Sequence, residues 1–434
     1  MLVAVYVALR TAAAPDPLIQ AWIVVAVVSA LISPLAGLTV LAAIGPFTEA
    51  LTDAGRITAA PLLLAGTTAG VAMRVTIARS IPRFTWPIVL AVALLLGTGL
   101  GVVHSWLSFG PSEGRSAAEL WLVGIGAALA ILLAAAWLAW GGEARPFFVA
   151  VSSSVVAGLV SSIDFVGRGA LYGGPLGWLL RSDDYARLSG IIPAPNASAA
   201  IFVLAFAVCL AVAVLETRTQ LRLLALASGA IAAVALVLTY SRSGLLAAAL
   251  AVIVIVGQRW RVRGLAVAIV MLTAASLAAV VAGLVREVPM VADQDRVTAW
   301  AAAVRMWQAE PLIGAGFRSF EWLHAGFGSP VLDAPHNEWL RLFAEEGSVV
   351  GLAGVAFALL TPLTLLRSRS VVAAAGVVTA AAGTAAAAVF LMAFFNNPFT
   401  YVQVNVPVFI VIGIGLGLTI GLRDPLRAST DRRG

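Results

Sequence analysis

The run VVAAAGVVTAAAGTAAAAVFLMAF covers residues 371–394 and carries no charged side chain. A helix of about 20 apolar residues is long enough to cross the hydrocarbon core of a bilayer. Residues 395–403 follow the run, and a further apolar run covers residues 404–422. The pattern predicts two membrane-spanning helices joined by a short connection.

The rest of the chain repeats this pattern. Hydrophobic residues make up 61% of the 434 residues and charged residues 11%, whereas about a quarter of a soluble domain is charged. Further apolar runs occur at residues 19–45, 58–76, 84–106, 119–141, 146–163, 198–216, 221–239, 243–257, 264–285 and 347–366. Pro34 predicts a kink or a split in the first run. The sequence therefore predicts an all-α, polytopic transmembrane helix bundle of about 12 spans, with residues 1–434 forming a single integral membrane domain.

The basic residues orient the bundle. The chain has no lysine, and many of its arginines cluster in five segments: Arg74, Arg79 and Arg83; Arg218 and Arg222; Arg259, Arg261 and Arg263; Arg367 and Arg369; and Arg423, Arg427, Arg432 and Arg433. With about 12 spans these segments share one side, which the positive-inside rule assigns to the cytoplasm. We therefore expect a multi-pass protein of the inner (cytoplasmic) membrane with both termini cytoplasmic. The extracytoplasmic side then holds the long segment 164–197 and a large loop, residues 286–346.

Several kinds of site are excluded by composition. The pI near 10.3 reflects arginines that set topology and does not indicate nucleic-acid binding. The single cysteine, Cys209, excludes an internal disulfide and a cysteine-ligated metal. The His, Asp and Glu residues form no cluster with the sequence spacing of metal ligands, and the sequence has no Gly-rich phosphate-binding loop. We expect neither a metal nor a cofactor, and we interpret the isolated His104 and His324 as structural.

Two arginines stand out on the external side. Arg242 lies in the turn Tyr240-Ser241-Arg242-Ser243-Gly244 between two predicted spans. A charge at the membrane boundary is costly, and it is usually paired or functional; snorkelling to the interface is the alternative. Arg296 opens a predicted amphipathic helix with Val297, Trp300, Val304 and Trp307 on one face, which suits the membrane interface. An ion pair with Asp293 or Asp295 is the alternative for Arg296.

The large loop ends in Pro335-His336-Asn337-Glu338. Asp333 is a candidate cap for a helix with Pro335 in its first turn, which would place His336 where helix N–H groups favour anions. A histidine there can act as acid, base or phosphate donor, or it can bond within the loop. Arg341 and Glu345, four residues apart, are interpreted as a helix-surface pair.

A fourth external feature precedes the span at residues 198–216. Arg187-Leu188-Ser189-Gly190 is followed by Pro193, Pro195 and Asn196. Glycine and proline at this density indicate a shaped turn.

These external features together resemble the O-antigen ligase and O-antigen polymerase superfamily over about residues 187–351. The most specific match is His336-Asn337 followed by Leu340, Glu345 and Gly347. Further matches are the Ser-Arg-Ser-Gly turn at 241–244, the Asp-Arg-Val element at 295–297, and Gly190 with Pro195-Asn196. One departure bears on the local helix register, because Gly351 follows Gly347 one residue later than the family pattern has it.

The resemblance implies a membrane glycosyltransferase that takes a glycan from an undecaprenyl-pyrophosphate carrier without a metal or a nucleotide sugar. By correspondence, Arg242 and Arg296 hold the pyrophosphate and His336 acts at the reacting centre. Asn337, Arg187 and Asn196 are expected to bind substrate. Direct displacement with inversion is the simplest mechanism, because no Asp or Glu is marked as a nucleophile. The expected partners are the lipid-linked donor, a lipid or glycan acceptor and the bilayer.

Two alternatives stay open. Within the superfamily a ligase, a polysaccharide polymerase and a protein glycosyltransferase share these features. A transporter or flippase for polysaccharide or lipid-linked glycan also suits about 12 spans. A transporter, however, is expected to carry ionisable or broken helices near the bilayer midplane, whereas the charges here gather at one face.

Overall fold

The computed structural model describes residues 28–47, 66–71, 73–74, 85–173, 187–189, 194–260, 291–368 and 373–421. Throughout these ranges the regular structure is helical, which confirms the all-α prediction. The α-helices are α1 (Pro34–Ile44), α2 (Trp86–Phe109), α3 (Pro111–Val123), α4 (Ile125–Trp140), α5 (Arg145–Gly173), α6 (Pro195–Leu215), α7 (Thr219–Leu238), α8 (Arg242–Trp260), α9 (Val291–Ala309), α10 (Ser319–Leu323), α11 (Glu338–Arg367), α12 (Ala373–Met392) and α13 (Val402–Gly421).

Nine helical stretches within the described ranges are long and apolar enough to cross a membrane. Each overlaps one of the predicted runs, from the run at 84–106 to the run at 404–422. Of the other three runs, 264–285 lies outside the described residues, and 19–45 and 58–76 are described in part. Helical structure in the first run is interrupted at Ser33, whose backbone is extended, and α1 begins at Pro34. The predicted split at this proline is therefore confirmed.

Small side chains let the central helices approach closely. Helix α12 is largely alanine and glycine, and it packs against α6, α8, α11 and α13. Helices in membranes associate through such small residues because close backbone approach maximises van der Waals contact. Helix α12 is therefore surrounded by the bundle, and the turn that follows it lies among the ends of its neighbours.

Helices α13 and α4 form a second close contact. A Cβ atom at Gly413 would lie 2.5 Å from the backbone oxygen of Leu132, and one at Gly417 would meet the backbone oxygen of Ala136. The two glycines are four residues apart, so they lie on one face of α13. Only a residue without a side chain fits either position.

Helix α11 has a charged N-terminal part followed by an apolar part that is predicted to span the membrane. Its 30 residues give a length of about 45 Å, more than the hydrocarbon core of about 30 Å. Gly347 has φ +75° and ψ −176° and interrupts the helical geometry. The four charged residues at 338–346 precede this break, and the apolar run predicted at 347–366 begins at it.

The predicted 286–346 loop contains regular structure where it is described. The amphipathic helix predicted from Arg296 is present as α9. Its buried residues are Ala299, Ala302, Ala303 and Met306, whereas Val297 of the predicted apolar face is exposed. Trp307 anchors α9 to α11, because its Nε1 donates to Ser348 Oγ (3.0 Å) and its ring packs edge-on against Phe343.

We expect Gly413→Ala to lower the melting temperature of the detergent-solubilised protein. The new methyl group overlaps the Leu132 backbone, and relief of such overpacking costs about 1–3 kcal/mol. Gly257→Ala in α8 is the matched control, because a Cβ there meets no heavy atom within 4 Å among the described residues. Equal melting temperatures for the two variants would contradict the close α4–α13 contact.

Candidate functional site

Arg242 is the first residue of α8 and belongs to the turn that joins α7 to α8. Ser241 N–H donates to Thr239 Oγ1 (3.2 Å), and Gly244 N–H donates to Ser241 Oγ (3.2 Å). The Ser241 hydroxyl thereby caps α8. Ser241 and Ser243 are buried, whereas Arg242 between them is exposed. The turn therefore carries the exposed guanidinium group of Arg242 between two buried serines, and hydrogen bonds of Ser241 fix its backbone.

Arg187 and Asn196 lie against the same turn. Leu188 N–H donates to the carbonyl of Leu238 (2.9 Å), which places this segment beside the end of α7. Arg187 Nε donates to the carbonyl of Thr239 (3.1 Å), and its Nη2 donates to Asn196 Oδ1 (3.1 Å) in the first turn of α6. The structure therefore brings Arg187 and Asn196 next to the segment that carries Arg242.

Arg296 and His336 form the second part of the site. Both are half-buried, and Arg296 lies in the second turn of α9. Burial lowers the pKa of His336 below its ordinary value, the Arg296 charge lowers it further, and the Asp333 carboxylate opposes this change. The lowered pKa favours the uncharged imidazole of His336 at neutral pH, and an uncharged imidazole can accept a proton.

The local geometry at His336 differs from the predicted helix start. The cap of α11 is Asn337, whose Oδ1 accepts the Leu340 N–H (3.1 Å), so the predictions that Asp333 caps the helix and that Pro335 and His336 lie in its first turn are wrong. His336 precedes the cap and has φ +49°, a left-handed conformation that is uncommon for residues with a side chain. Asn337 thus holds the helix end next to His336, and its predicted contact with substrate stays a prediction.

A turn after α12, residues 393–397, links these segments. Ala393 O accepts the Glu338 N–H (2.9 Å), two residues after His336. Phe395 O accepts from Arg296 Nη1 (3.4 Å), and Asn396 Nδ2 donates to Ser243 Oγ (2.5 Å), next to Arg242. The three segments that carry Arg242, Arg296 and His336 therefore all contact this one turn, although they are far apart in sequence.

The 393–397 turn was not predicted as part of the site, and its residues were predicted only to connect two spans. A signal was present, because the chain has only five asparagines and two of them, Asn396 and Asn397, are adjacent here. Both are buried. Adjacent amide side chains at the end of an apolar helix indicate hydrogen bonding to other segments rather than solvation.

The first half of α11, which follows His336, contains a cluster of buried charged residues. Arg341 forms an ion pair with Glu338, and Glu345 and Glu346 are buried in the same half of the helix. The predicted surface pair of Arg341 with Glu345 is therefore wrong, since both residues are buried and the partner within the ion pair is Glu338. Arg341 also lies over the ring of Phe317, 5.8 Å from its centroid.

The charged half of α11 also contacts residues 315–320, which lead into α10 and include its first two residues. Ala315 N–H and Gly316 N–H donate to the carbonyls of Ala344 (3.1 Å) and Glu345 (2.8 Å). The Glu345 side chain accepts from Phe320 N–H (3.3 Å). The Gly-Ala-Gly-Phe element at 314–317 is therefore a structural contact between the loop and α11.

The contacts of His324 fit the structural role predicted for it. His324 Nδ1 contacts the carbonyl of Ser329, and its ring stacks on Phe320. Across the described ranges, no group of three or more His, Cys, Asp or Glu side chains is arranged to hold a metal ion. The Arg296 guanidinium and the Ser243 hydroxyl contact the 393–397 turn directly, and the segment that carries His336 contacts it through Glu338 N–H.

Part of the chain is similar to a known protein family. Residues 224–356 match the family model described as O-antigen ligase. The predicted resemblance is thereby confirmed. No curated protein matches the chain at a significant level. Nine candidate spans within the described residues indicate a multi-pass membrane protein, and its residues 224–356 are similar to the O-antigen ligase family.

The O-antigen ligase match covers only part of the site. Arg242, Arg296, His336 and Asn337 fall inside residues 224–356, whereas Arg187, Asn196 and the 393–397 turn fall outside. The segments outside the match hold the matched ones in place through the hydrogen bonds described above. A complete site thus requires helices α6 and α12 in addition to the O-antigen ligase region.

We expect Arg341→Met to destabilise the protein strongly. The substitution leaves the carboxyl of Glu338 buried without its ion-pair partner, and breaking such a pair costs about 3–5 kcal/mol. Arg145→Met is the matched control, because the Arg145–Glu143 pair is 3.9 Å long and exposed, and exposed pairs contribute little. The measurement is the fraction of monodisperse protein after heating in detergent. A loss no larger than that of the control would contradict a buried cluster.

Proposed function

We propose that this membrane protein transfers a glycan from an undecaprenyl-pyrophosphate carrier to an acceptor hydroxyl at the external face of the inner membrane. The observation that carries the proposal is the convergence of the Arg242, Arg296 and His336 segments on the 393–397 turn. We assign the large loop 286–346 to the extracytoplasmic side, which places His336 there with both termini in the cytoplasm.

The two arginines suit the leaving group. Negative charge grows on the pyrophosphate as the glycosidic bond breaks, and electrostatic stabilisation of that charge lowers the barrier. Guanidinium groups are always charged, and they bind phosphate oxygens through two parallel hydrogen bonds. We assign this role to Arg242 and Arg296. We propose that the transfer needs no added metal, which an assay in EDTA tests directly.

His336 suits the acceptor. As an uncharged imidazole it can remove the proton from the acceptor hydroxyl while that oxygen attacks the anomeric carbon. The bond from the anomeric carbon to the pyrophosphate oxygen breaks in the same step, and undecaprenyl pyrophosphate leaves. This direct displacement inverts the configuration at the anomeric carbon. The acceptor is a lipid or glycan hydroxyl.

Three further residues border the proposed glycan site. In Asn337 and Asn196 the side-chain oxygen is bonded within the protein, to Leu340 N–H and to Arg187 respectively. We therefore assign their amide N–H groups to sugar hydroxyls. Arg187 holds Asn196 and the turn before Arg242, and we propose that it contributes to substrate binding next to them.

We expect His336→Ala to abolish transfer while lipid-linked glycan accumulates. The assay is in vitro transfer from a defined undecaprenyl-pyrophosphate glycan to candidate lipid, glycan and protein acceptors, in EDTA. Arg242→Lys should lower the rate at least about tenfold, because an ammonium lacks the bidentate fork. The control is His324→Ala, whose ring contacts a loop carbonyl.

The same assay separates the alternatives. The acceptor that receives the glycan distinguishes a ligase from a polymerase or a protein glycosyltransferase. Normal transfer by His336→Ala would contradict the assignment of His336 as the base. Absence of transfer by the wild type, with movement of lipid-linked glycan across vesicles instead, would favour a transporter.

We expect the transfer rate to rise with pH through the pKa of His336. Because that pKa lies below the ordinary value of 6.5, the midpoint of the rise should fall below pH 6.5. The exposed carboxylate of Asp333 raises the pKa of His336, so Asp333→Asn should move the midpoint to lower pH. The measurement is kcat/KM against pH, and a midpoint that moves upward would contradict His336 as the base.

A further inference from the structure

The 393–397 turn contains polar atoms that the fold does not use. Asn396 and Asn397 are only 4% and 9% exposed. Neither side-chain oxygen has a hydrogen-bond partner among the residues that the structure describes. An unpaired buried amide oxygen is costly, so an apolar side chain would be favoured if shape alone mattered. The hydrogen bond that the Asn396 amide does make therefore indicates its role.

That contact is between Asn396 and the turn that carries Arg242. Asn396 Nδ2 donates to Ser243 Oγ (2.5 Å), which in turn lies 3.2 Å from Ser241 Oγ. Arg242 stands between these two serines. The Asn396 amide is thus hydrogen-bonded to the buried base from which the Arg242 guanidinium projects.

The neighbouring residue in the same turn is the anchor of the other arginine. Phe395 O accepts from Arg296 Nη1 (3.4 Å). This carbonyl follows the C-terminal end of α12, where the helix dipole favours a positive charge. The residue that contacts Arg296 and the residue that contacts Ser243, next to Arg242, are therefore adjacent in one short turn.

We propose that Asn396 is a positioning residue that fixes the spacing between Arg242 and Arg296, and that this spacing makes the site selective for a lipid-linked pyrophosphate over a lipid-linked monophosphate. The inference rests on the proposed function, in which both arginines bind the carrier. Asn396 lies outside the O-antigen ligase match at residues 224–356.

The selectivity follows from the number of groups that must be held at once. A pyrophosphate has two phosphoryl groups and can engage two guanidinium groups together, whereas a monophosphate is satisfied by one. Fixing the two arginines beforehand removes the entropy cost of bringing them together on the ligand. That gain applies to the pyrophosphate and hardly to the monophosphate.

The amide is suited to this role by its donor. Leucine has the same number of side-chain heavy atoms and the same branch point but no N–H group, so Asn396→Leu removes the hydrogen bond to Ser243. Ser243→Ala removes the same hydrogen bond from the other side and is the smaller change. If the hydrogen bond itself carries the effect, the two substitutions are not additive.

The test is titration calorimetry of the full-length protein in detergent with two probes, undecaprenyl pyrophosphate and undecaprenyl monophosphate. We expect Asn396→Leu to weaken binding of the pyrophosphate lipid about tenfold and binding of the monophosphate lipid less than about twofold. Ser243→Ala should give the same pattern, and the double variant should lose no more than either single variant. If Asn396→Leu does not fold, Ser243→Ala decides the matter alone.

Asn405→Leu is the matched control. Asn405 is also a buried asparagine with an unpaired oxygen among the described residues, and its Nδ2 donates to the carbonyl of Phe399 (2.9 Å). Its loss should lower the melting temperature without changing the ratio of the two affinities. Equal weakening of both lipids by Asn396→Leu and Ser243→Ala, or full additivity, would overturn the positioning role. A wild type that binds neither lipid would instead overturn the proposed function, and the inference with it.

Discussion

Backbone carbonyl groups at a helix end and in the turn that follows it need hydrogen-bond partners, and a turn that is enclosed by other helices cannot leave them unpaired. Helix α12 meets this constraint in the interior of the bundle. Its following turn offers Ala393 O to the Glu338 N–H and Phe395 O to the Arg296 guanidinium. The same two hydrogen bonds fix the start of α11 and the start of α9. A requirement of backbone chemistry thereby brings together segments that are 40 to 100 residues apart in sequence.

The large-scale fold was predictable because it follows from composition alone. Each of the nine candidate spans overlaps a run recognised by its apolar residues, and the split at Pro34 follows from the ring of proline. The wrong predictions concern local contacts for which more than one residue is a suitable partner. Asp333 and Asn337 are both able to cap a helix, and sequence spacing does not show that the Asn337 side chain reaches the Leu340 N–H. The spacing of Arg341 and Glu345 indicates a surface pair only while the neighbours on other helices are unknown.

Asn396 could not be predicted from the sequence for a physical reason. Asn396 gains its role from Ser243, which is 153 residues away, and no local pattern records such a contact. Arg242, Arg296 and His336 were recognisable because charged and titratable groups are rare in this chain and stand in family motifs. A buried asparagine has no comparable signature, since amide groups serve equally well in caps and turns. The chemical groups of a membrane site are therefore easier to predict than the groups that hold them at the right distance.

The charge of Arg296 serves two requirements that at first conflict. It should attract the pyrophosphate, and it lowers the pKa of the nearby His336, which weakens that histidine as a base. The conflict is resolved by the order of events in the proposed reaction. Before the donor binds, burial and the Arg296 guanidinium both lower the pKa of His336, which favours the unprotonated base at neutral pH. When the pyrophosphate is bound, its negative charge offsets that of Arg296, and the proton affinity of His336 rises as the acceptor hydroxyl is about to lose its proton. A single contact to the 393–397 turn can thus set both the position and the timing of the proton transfer.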